Sequence, residues 1–539
     1  MIDVGISAID RPYPVGVNLQ VGSKVYVDRG YTYTHVPSLV QGGSYIQTAN
    51  NDKAQNGNPF LTFTLDKPSL VYVAHDVRIT SKPSWLSAFA DTVESLVTSD
   101  TTLQLFKKPY PAGLVELGDN GYSGVGSMYV VAIQPAPMEE PVPKPTDGTS
   151  YPKIMAMAIR RPTFYFEPAY QAQIAKADVG VMGFYRGWYG GGVSTPREVV
   201  LNIKAMNPDI LLAQYTILNE AADETSTNDA RPDVGQKITA ENWWVKNAAG
   251  EKVQWTEAYA KFDVNMTAFA QKDAQGKRYP EWLAELNHFD LFRPIPEFDI
   301  CYLDNSLSKP ASPVADWDND GVDEANTDKD IAEAYRKGHV AHWEATRKLN
   351  PHLRLLGNSD NLSSPEYSGQ LEGGFFEAAI GKSWSVEAVY GWDEMMRRYR
   401  SHMAHTKDPH LVGFNVWGSA DDYQRMRYGL CSCLLDDGYY SYTDEVEGYG
   451  SVPWFDEFDA DLGRPVEPPA MTPIRGTKWY KREFERGLVV VNAGSTASAW
   501  QPGPGYKRIA GTQDPSVNNG ANVGWVNLAS KDGILLLKV

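Results

Sequence analysis

The feature that most constrains this chain is a strand grammar running from about residue 153 to residue 442. Short apolar runs recur there with amphipathic helical stretches between them, and several runs stop on a carboxylate or an aromatic. The clearest is Phe298-Asp299-Ile300-Cys301-Tyr302-Leu303-Asp304-Asn305. A run that is apolar at successive positions reads as a strand buried on both faces. The run at 353–360 stops on Asp360, that at 373–377 on Glu377, and that at 411–417 on Trp417. Upstream runs lie at 154–159, 179–184 and 210–215, and a last one at 438–442. Helices are expected at 169–177, at 196–206 with Thr195 as N-cap and Pro196 in its first turn, at 331–349 and at 422–435. Eight strands alternating with helices predict a closed parallel (β/α)8 barrel. A doubly wound open sheet would carry a glycine-rich phosphate loop after its first strand, and none follows here.

Chemistry in such a barrel sits on the rim at the strand C-termini. Asp304, Asp360, Glu377 and Trp417 are therefore expected on one rim. An Asp after an apolar run also serves as the N-cap of the next helix, so these carboxylates carry weight together rather than singly.

The barrel does not fill the chain. Residues 1–134 read as an all-β sandwich, with short β-branched or aromatic runs at 25–27, 31–33, 44–47, 60–64, 71–74, 103–106 and 128–131 between Gly, Asn, Asp and Pro clusters. Segments 45–51 and 71–86 resemble small β modules attached to secreted bacterial proteins, which implies an accessory, carbohydrate-binding role and a secreted or cell-surface location. Residues 135–151 hold a proline-dense linker. The barrel is then expected at 152–453 and a small C-terminal β domain at 454–539.

At 539 residues with a net charge of −17, the chain is unsuited to nucleic acid, which needs a basic surface. Its three cysteines, Cys301, Cys431 and Cys433, exclude a disulfide framework. No run approaches the length of a membrane span, and Met1 is not followed by a secretory leader pattern. Aromatics reach 12%, and their faces suit stacking on sugar rings as well as a β-rich core.

The motif Tyr302-Leu303-Asp304-Asn305, the strand carrying Glu377, and the tail 482–492 (Arg-Glu-Phe-Glu-Arg-Gly-Leu-Val-Val-Val-Asn) resemble glycoside hydrolase-like barrel families related to the α-galactosidase superfamily. The resemblance covers about residues 151–539 and is sharpest in the tail. It implies a nucleophilic carboxylate ending the fourth strand, Asp304, and an acid/base ending the sixth, Glu377, with Asp360 in reserve. Substrate contacts are expected from Trp188, Tyr189, Asn305, Asn358, Trp417 and Arg160. The chemistry agrees, since glycosidic cleavage needs one carboxylic acid to protonate the leaving oxygen and one carboxylate to attack or to activate water. A poly- or oligosaccharide is the expected partner, and no cofactor is required. A non-catalytic carbohydrate-binding barrel and a polysaccharide lyase remain alternatives. Finally, Asp316, Asp318 and Asp320 match the first half of a calcium loop, D-x-D-x-D-G, whose twelfth position is Thr327 where Glu is expected; Asp323 or Asp328 would have to substitute.

Overall fold

The computed structural model describes residues 4–67, 69–110, 113–135, 150–160, 162–184, 195–223, 225, 232–258, 260–469, 471 and 473–539. The chain divides into two compact units, Met1–Val142 and Pro143–Val539. Most of the proline-dense linker lies outside the described residues.

In the first unit a seven-stranded and a three-stranded antiparallel sheet share one core. The strand Leu61–Leu65 buries every second residue, Leu61, Phe63 and Leu65, as a half-buried strand should. The strand expected at 25–27 is absent: Val25 and Tyr26 are buried, but in a loop. The strands Ala90–Thr98 and Gly113–Leu117 went unread, because their polar faces interrupt the apolar pattern.

In the second unit all eight expected barrel strands form: β1 (Met155–Ala158), β2 (Val179–Met182), β3 (Leu211–Ile217), β4 (Ile300–Asp304), β5 (Arg354–Asn358), β6 (Gly373–Ile380), β7 (Gly413–Gly418) and β8 (Tyr439–Asp444). Neighbours pair in parallel in this order. A parallel bridge between Ile154 and Tyr440 closes the ring. The runs are mostly apolar because both faces are covered, with a few buried polar residues such as Gln214, Asn415 and Ser441. Met155, Met157, Val179, Val181, Ala213, Ile300, Tyr302, Leu356 and Phe375 fill the barrel interior. Their neighbours Ala158, Met182, Leu212, Cys301, Leu303 and Leu355 pack outward against helices.

The main helices of this unit are α1 (Pro168–Ala175), α2 (Pro196–Met206), α3 (Tyr279–Asn287), α4 (Lys329–Leu349), α5 (Trp392–His405) and α6 (Tyr423–Cys433). α2 starts as expected, with a capping box in which Thr195 Oγ1 accepts from the Glu198 N–H and Glu198 Oε2 accepts from the Thr195 N–H. α4 has an Asp328 cap and buries Ile331, Ala334, Tyr335, Gly338, His339, His342, Trp343 and Thr346, a three-to-four residue stripe. Gly338 lets it pass the chain at Met266, whose carbonyl oxygen would lie 1.5 Å from any Cβ there. Strict alternation fails once: β5 and β6 are joined by turns, with no helix among the described residues.

The C-terminal sheet, made of Trp479–Glu483, Gly487–Asn492, Asp532–Lys538 and Tyr506–Arg508, lies on α6. Arg427 of α6 is buried at 4% exposure and clamps this sheet through Asp514 (2.6 Å) and Asp532 (3.4 Å).

α4 carries an acid-sensitive element. His339 and His342 are fully buried, and no ring nitrogen of either finds a partner among the described residues. Burial pushes both imidazoles down, to about 3. In the unfolded chain they bind protons below about 6.5. Their contribution to stability is therefore complete above that value and is lost as the pH falls toward 3. At pH 5 the loss is on the order of 2 kcal/mol per histidine. The urea midpoint is expected to fall between pH 7 and pH 5, and the His339→Phe/His342→Phe double variant to show a clearly shallower fall. An unchanged pH dependence in that variant would acquit the pair.

Candidate active site

Side-chain parity builds the site. On β4, Ile300 and Tyr302 point into the barrel, so Asp304 does too, at the mouth where the strand ends. The same parity turns Tyr215 of β3, Asn358 of β5 and Glu377 of β6 inward, since Ala213, Leu356 and Phe375 are interior residues. Four inward side chains from four successive strands meet above the packed core.

Asp304 is held by three donors. Asn305 adopts a left-handed φ of 56° that turns the chain sharply off the strand, and its N–H donates to Asp304 Oδ1 at 2.9 Å. Asn tolerates this conformation better than most residues. The Tyr215 hydroxyl donates to Asp304 Oδ2 at 2.5 Å, with its ring stacked on Tyr302 at 5.7 Å. Asn358 Nδ2 donates to Asp304 Oδ1 at 2.9 Å.

The same Asn358 nitrogen donates to Glu377 Oε2, also at 2.9 Å. One amide nitrogen thus spans the two carboxylates, and their nearest oxygens stand no further apart than twice 2.9 Å. For the near-120° fan of amide N–H bonds the separation is roughly 5 Å.

Glu377 does not end its strand, as the run 373–377 suggested. β6 continues to Ile380, and Glu377 sits at a bulge: Phe376 pairs with Phe414 and Ile380 with Val416, so four steps on β6 match two on β7. Ala378 takes a left-handed φ of 45°, and its N–H donates to Asn415 Oδ1 at 3.0 Å. A bulge re-aims the side chain beside it. The Tyr449 hydroxyl, from the loop after β8, donates to Glu377 Oε1. Trp417 packs on Tyr449 at 5.0 Å, and Lys382 Nζ lies over the Trp417 ring at 3.8 Å. Burial raises the Glu377 carboxyl above the usual range and the charge of Asp304 adds to this, against the hydrogen bonds from Tyr449 and Asn358 and the charge of Lys382.

A second acidic pair borders the site. Glu220, just past β3, accepts from the Trp255 indole at 2.6 Å and is raised mainly by burial, with a further push from Asp304. Its ladder partner Asp263 is raised to about 6 by burial.

Asp360 takes another place. It lies two residues beyond the end of β5, and its carboxylate accepts from Ser308 N (2.7 Å) and Ser308 Oγ (2.9 Å); none of its hydrogen bonds reaches the Asn358 bridge. Arg160 pairs with Glu447 at 3.2 Å and lies over Phe164, tying down the loop that carries Tyr449. Trp188 and Tyr189 lie outside the described residues. Tyr215, Glu220 and Tyr449 were not foreseen: none ends an apolar run on a carboxylate, Glu220 sits in a two-residue strand outside the barrel and Tyr449 lies in a loop.

The acidic loop forms a compact group in which Asp316, Asp318, Asp320 and Glu324 bring one oxygen each within 4.8 Å of the others. These hard oxygen donors are of the kind calcium takes. Neither residue expected to stand in for the missing Glu joins them. Asp323 accepts from the Ala248 N–H at 2.6 Å and Asp328 caps α4. The Asp316 carboxylate accepts the N–H groups of Asp320 and Gly321, which closes the loop upon itself.

Residues 204–488, more than half of the chain, match the model described as hypothetical glycosyl hydrolase family 15. A β-glucuronidase of Formosa agariphila is 26% identical over 91 residues, which is 17% of this chain and only 9% of that protein. Among solved structures, the glycoside hydrolase domain of PelA from Pseudomonas aeruginosa is similar over 54% of this chain and 95% of its own, with a TM-score of 0.34 and 12% identity. The GH36 α-galactosidase AgaA from Geobacillus stearothermophilus is similar over 100% of this chain and 88% of its own, with a TM-score of 0.36 and 8% identity.

Proposed function

The chain belongs to hypothetical glycosyl hydrolase family 15, and from that premise we propose that it hydrolyses glycosidic bonds of a poly- or oligosaccharide, with retention, through Asp304 and Glu377. The observation that carries this reading is the single Asn358 nitrogen bound to both carboxylates. A retaining pair stands about 5–5.5 Å apart, whereas an inverting pair stands about 6.5–9.5 Å apart to leave room for a water. Nearest oxygens bridged by two arms of 2.9 Å favour the closer, retaining spacing.

The environments of the two carboxyls divide their roles. Asp304, with donors on both oxygens, is the aligned nucleophile that attacks C1. Glu377, raised by burial and by the neighbouring charge, keeps its proton into the range where it is useful and passes it to the departing oxygen. Once the leaving group has gone, Glu377 is a carboxylate and takes a proton from the water that releases the sugar from Asp304. Asn358 spends both amide N–H bonds as the spacer between them, and Tyr215 and Tyr449 hold the outer oxygens. Trp417 lines the Glu377 side, packed against Tyr449 with Lys382 over its ring.

A panel of aryl glycosides and polysaccharides, with the first-formed anomer followed by proton NMR, tests the reading. The expected result is cleavage of at least one substrate with the starting anomeric configuration kept. Release of the opposite anomer would remove the two-step scheme.

A further inference from the structure

The loop after β6 holds a cation that no carboxylate answers among the described residues. β6 ends at Ile380, and Gly381 follows with a φ of 107°. A Cβ on Gly381 would lie 1.8 Å from the Trp417 carbonyl oxygen, so glycine is what lets the chain pass β7 this closely. Lys382 is thereby set against Trp417, and its N–H donates to Ser385 Oγ at 2.8 Å. Its ammonium stands 3.8 Å from the centre of the Trp417 ring, Trp417 packs on Tyr449, and the Tyr449 hydroxyl is bonded to Glu377. Among the described residues, Lys382 Nζ has no ion pair and no hydrogen-bond acceptor. Arg160, by contrast, is answered by Glu447 at 3.2 Å. An ammonium laid on an indole face gives up part of its hydration for on the order of 0.5–2 kcal/mol of cation–π attraction. Three N–H donors remain on it, and a ligand anion can take those turned away from the ring.

We propose that Lys382 receives an anionic substituent, a uronate carboxylate or a sulfate ester, on the sugar unit that departs with the oxygen protonated by Glu377. The inference rests on the glycosidase reading above. Strand order gives the side: Asp304 ends β4, Glu377 sits on β6, and Lys382 and Trp417 come from the β6 loop and from β7, beyond Glu377 as counted from the nucleophile. A glycoside attacked by Asp304 holds its leaving group against Glu377, so the substituents of that unit are the ones that reach Lys382. A neutral sugar would meet the ammonium with hydroxyls alone, and a Glu377 that carries the proton to be donated supplies no charge to it. A carboxylate or sulfate supplies that charge through a charge-assisted bond. The same anion offsets a positive charge that draws the Glu377 carboxyl down, which helps the acid keep its proton while such a substrate is bound. The net charge of −17 disfavours a densely acidic polymer, but salt screens that field beyond about 10 Å and leaves the contact itself to Lys382. A lysine among Asp304, Glu377, Glu220 and Asp263 suits an isolated acidic group on a largely neutral glycan.

Binding is measured by titration on the full chain carrying Asp304→Asn, which separates recognition from turnover. The probes are glucuronoxylan and chondroitin oligosaccharides, each beside its carboxyl-reduced form, and chondroitin sulfate oligosaccharides beside the desulfated form. At least one acidic member is expected to bind roughly ten-fold tighter than its neutral or desulfated counterpart, a preference that shrinks as salt is added. Preference within the carboxyl pairs assigns a uronate, and preference within the sulfate pair assigns a sulfate ester. Lys382→Met keeps a flexible chain on Trp417 without the charge and is expected to cut the preference to less than about two-fold, whereas Lys382→Arg should keep most of it. Folding is checked by the melting temperature. Equal affinities within every pair, preference for the neutral forms, no binding of any probe, or a preference that survives Lys382→Met would overturn the proposal. So would a Lys382→Met variant that alters only the pH profile of cleavage, since Lys382 would then serve Glu377 alone. Cleavage of neutral glycosides with no preference for an anion would sink the Lys382 assignment and leave the hydrolase. Acidic glycans bound through Lys382 but never cleaved by the unmodified chain would leave the assignment of the anion and sink the hydrolase.

Discussion

Asp304→Asn is expected to abolish turnover of the best substrate while the protein stays folded. The substitution keeps the shape and leaves an oxygen to accept from Tyr215 or Asn358, so the packing of β4 is untouched. What goes is the charge that attacks C1. Loss of a nucleophile costs on the order of three powers of ten or more in rate, ~4 kcal/mol. A second consequence follows from the Asn358 bridge. The negative charge of Asp304 is one of the influences that raise the Glu377 carboxyl, so neutralising it lets Glu377 titrate at lower pH. The measurement is kcat/KM beside an unchanged melting temperature, and near-normal activity in a folded variant would take Asp304 out of the mechanism.

Glu377→Gln is expected to separate substrates by leaving group. A natural glycoside departs as a poor leaving group and needs the proton, so its cleavage should fall by several powers of ten. An activated aryl glycoside departs without it, so its first step should survive. The second step still lacks its base, and a small anion such as azide, needing no deprotonation, should restore turnover as a glycosyl azide. In the unmodified protein, activity should decline as the pH rises through the elevated Glu377 value; in the variant that decline should vanish. Equal losses on both substrate types, with no rescue by azide, would take the acid/base role from Glu377.

The barrel was legible because burial on both faces writes a strand as a largely apolar run, and each of the eight runs kept enough of that pattern to be read. Asp304 was legible for the same reason: the run stops on it, and its parity with Ile300 and Tyr302 turns it inward. Glu377 was legible as a residue but not as a geometry. Its aim comes from a bulge whose left-handed position is an alanine, Ala378, pinned by Asn415 on the next strand. No glycine marks it, and the partner is 37 residues away. Asn358 was read as a sugar contact, and its place between the two carboxylates was not legible. Asp360 shows the limit of counting strand ends: two residues past β5 the chain has turned, and its carboxylate is spent on Ser308. Glu220 comes from a two-residue strand and Tyr449 from a loop, both too short for periodicity to say anything about direction. In the acidic loop the motif fixed three carboxylates, and the fourth, Glu324, stands at the ninth position of the same spacing, held by the short β pairing of Glu324–Ala325 with Val314–Ala315.

The central claim is that Asp304 bonds to the sugar while Glu377 handles the proton. The most direct test is peptide mapping by mass spectrometry of Glu377→Gln, quenched during reaction with an activated aryl glycoside that the unmodified enzyme cleaves. Slow second-step chemistry should let the intermediate accumulate, with one glycosyl unit on the peptide that contains Asp304. A glycosyl unit on any other residue, or steady turnover with no adduct at all, would contradict the account.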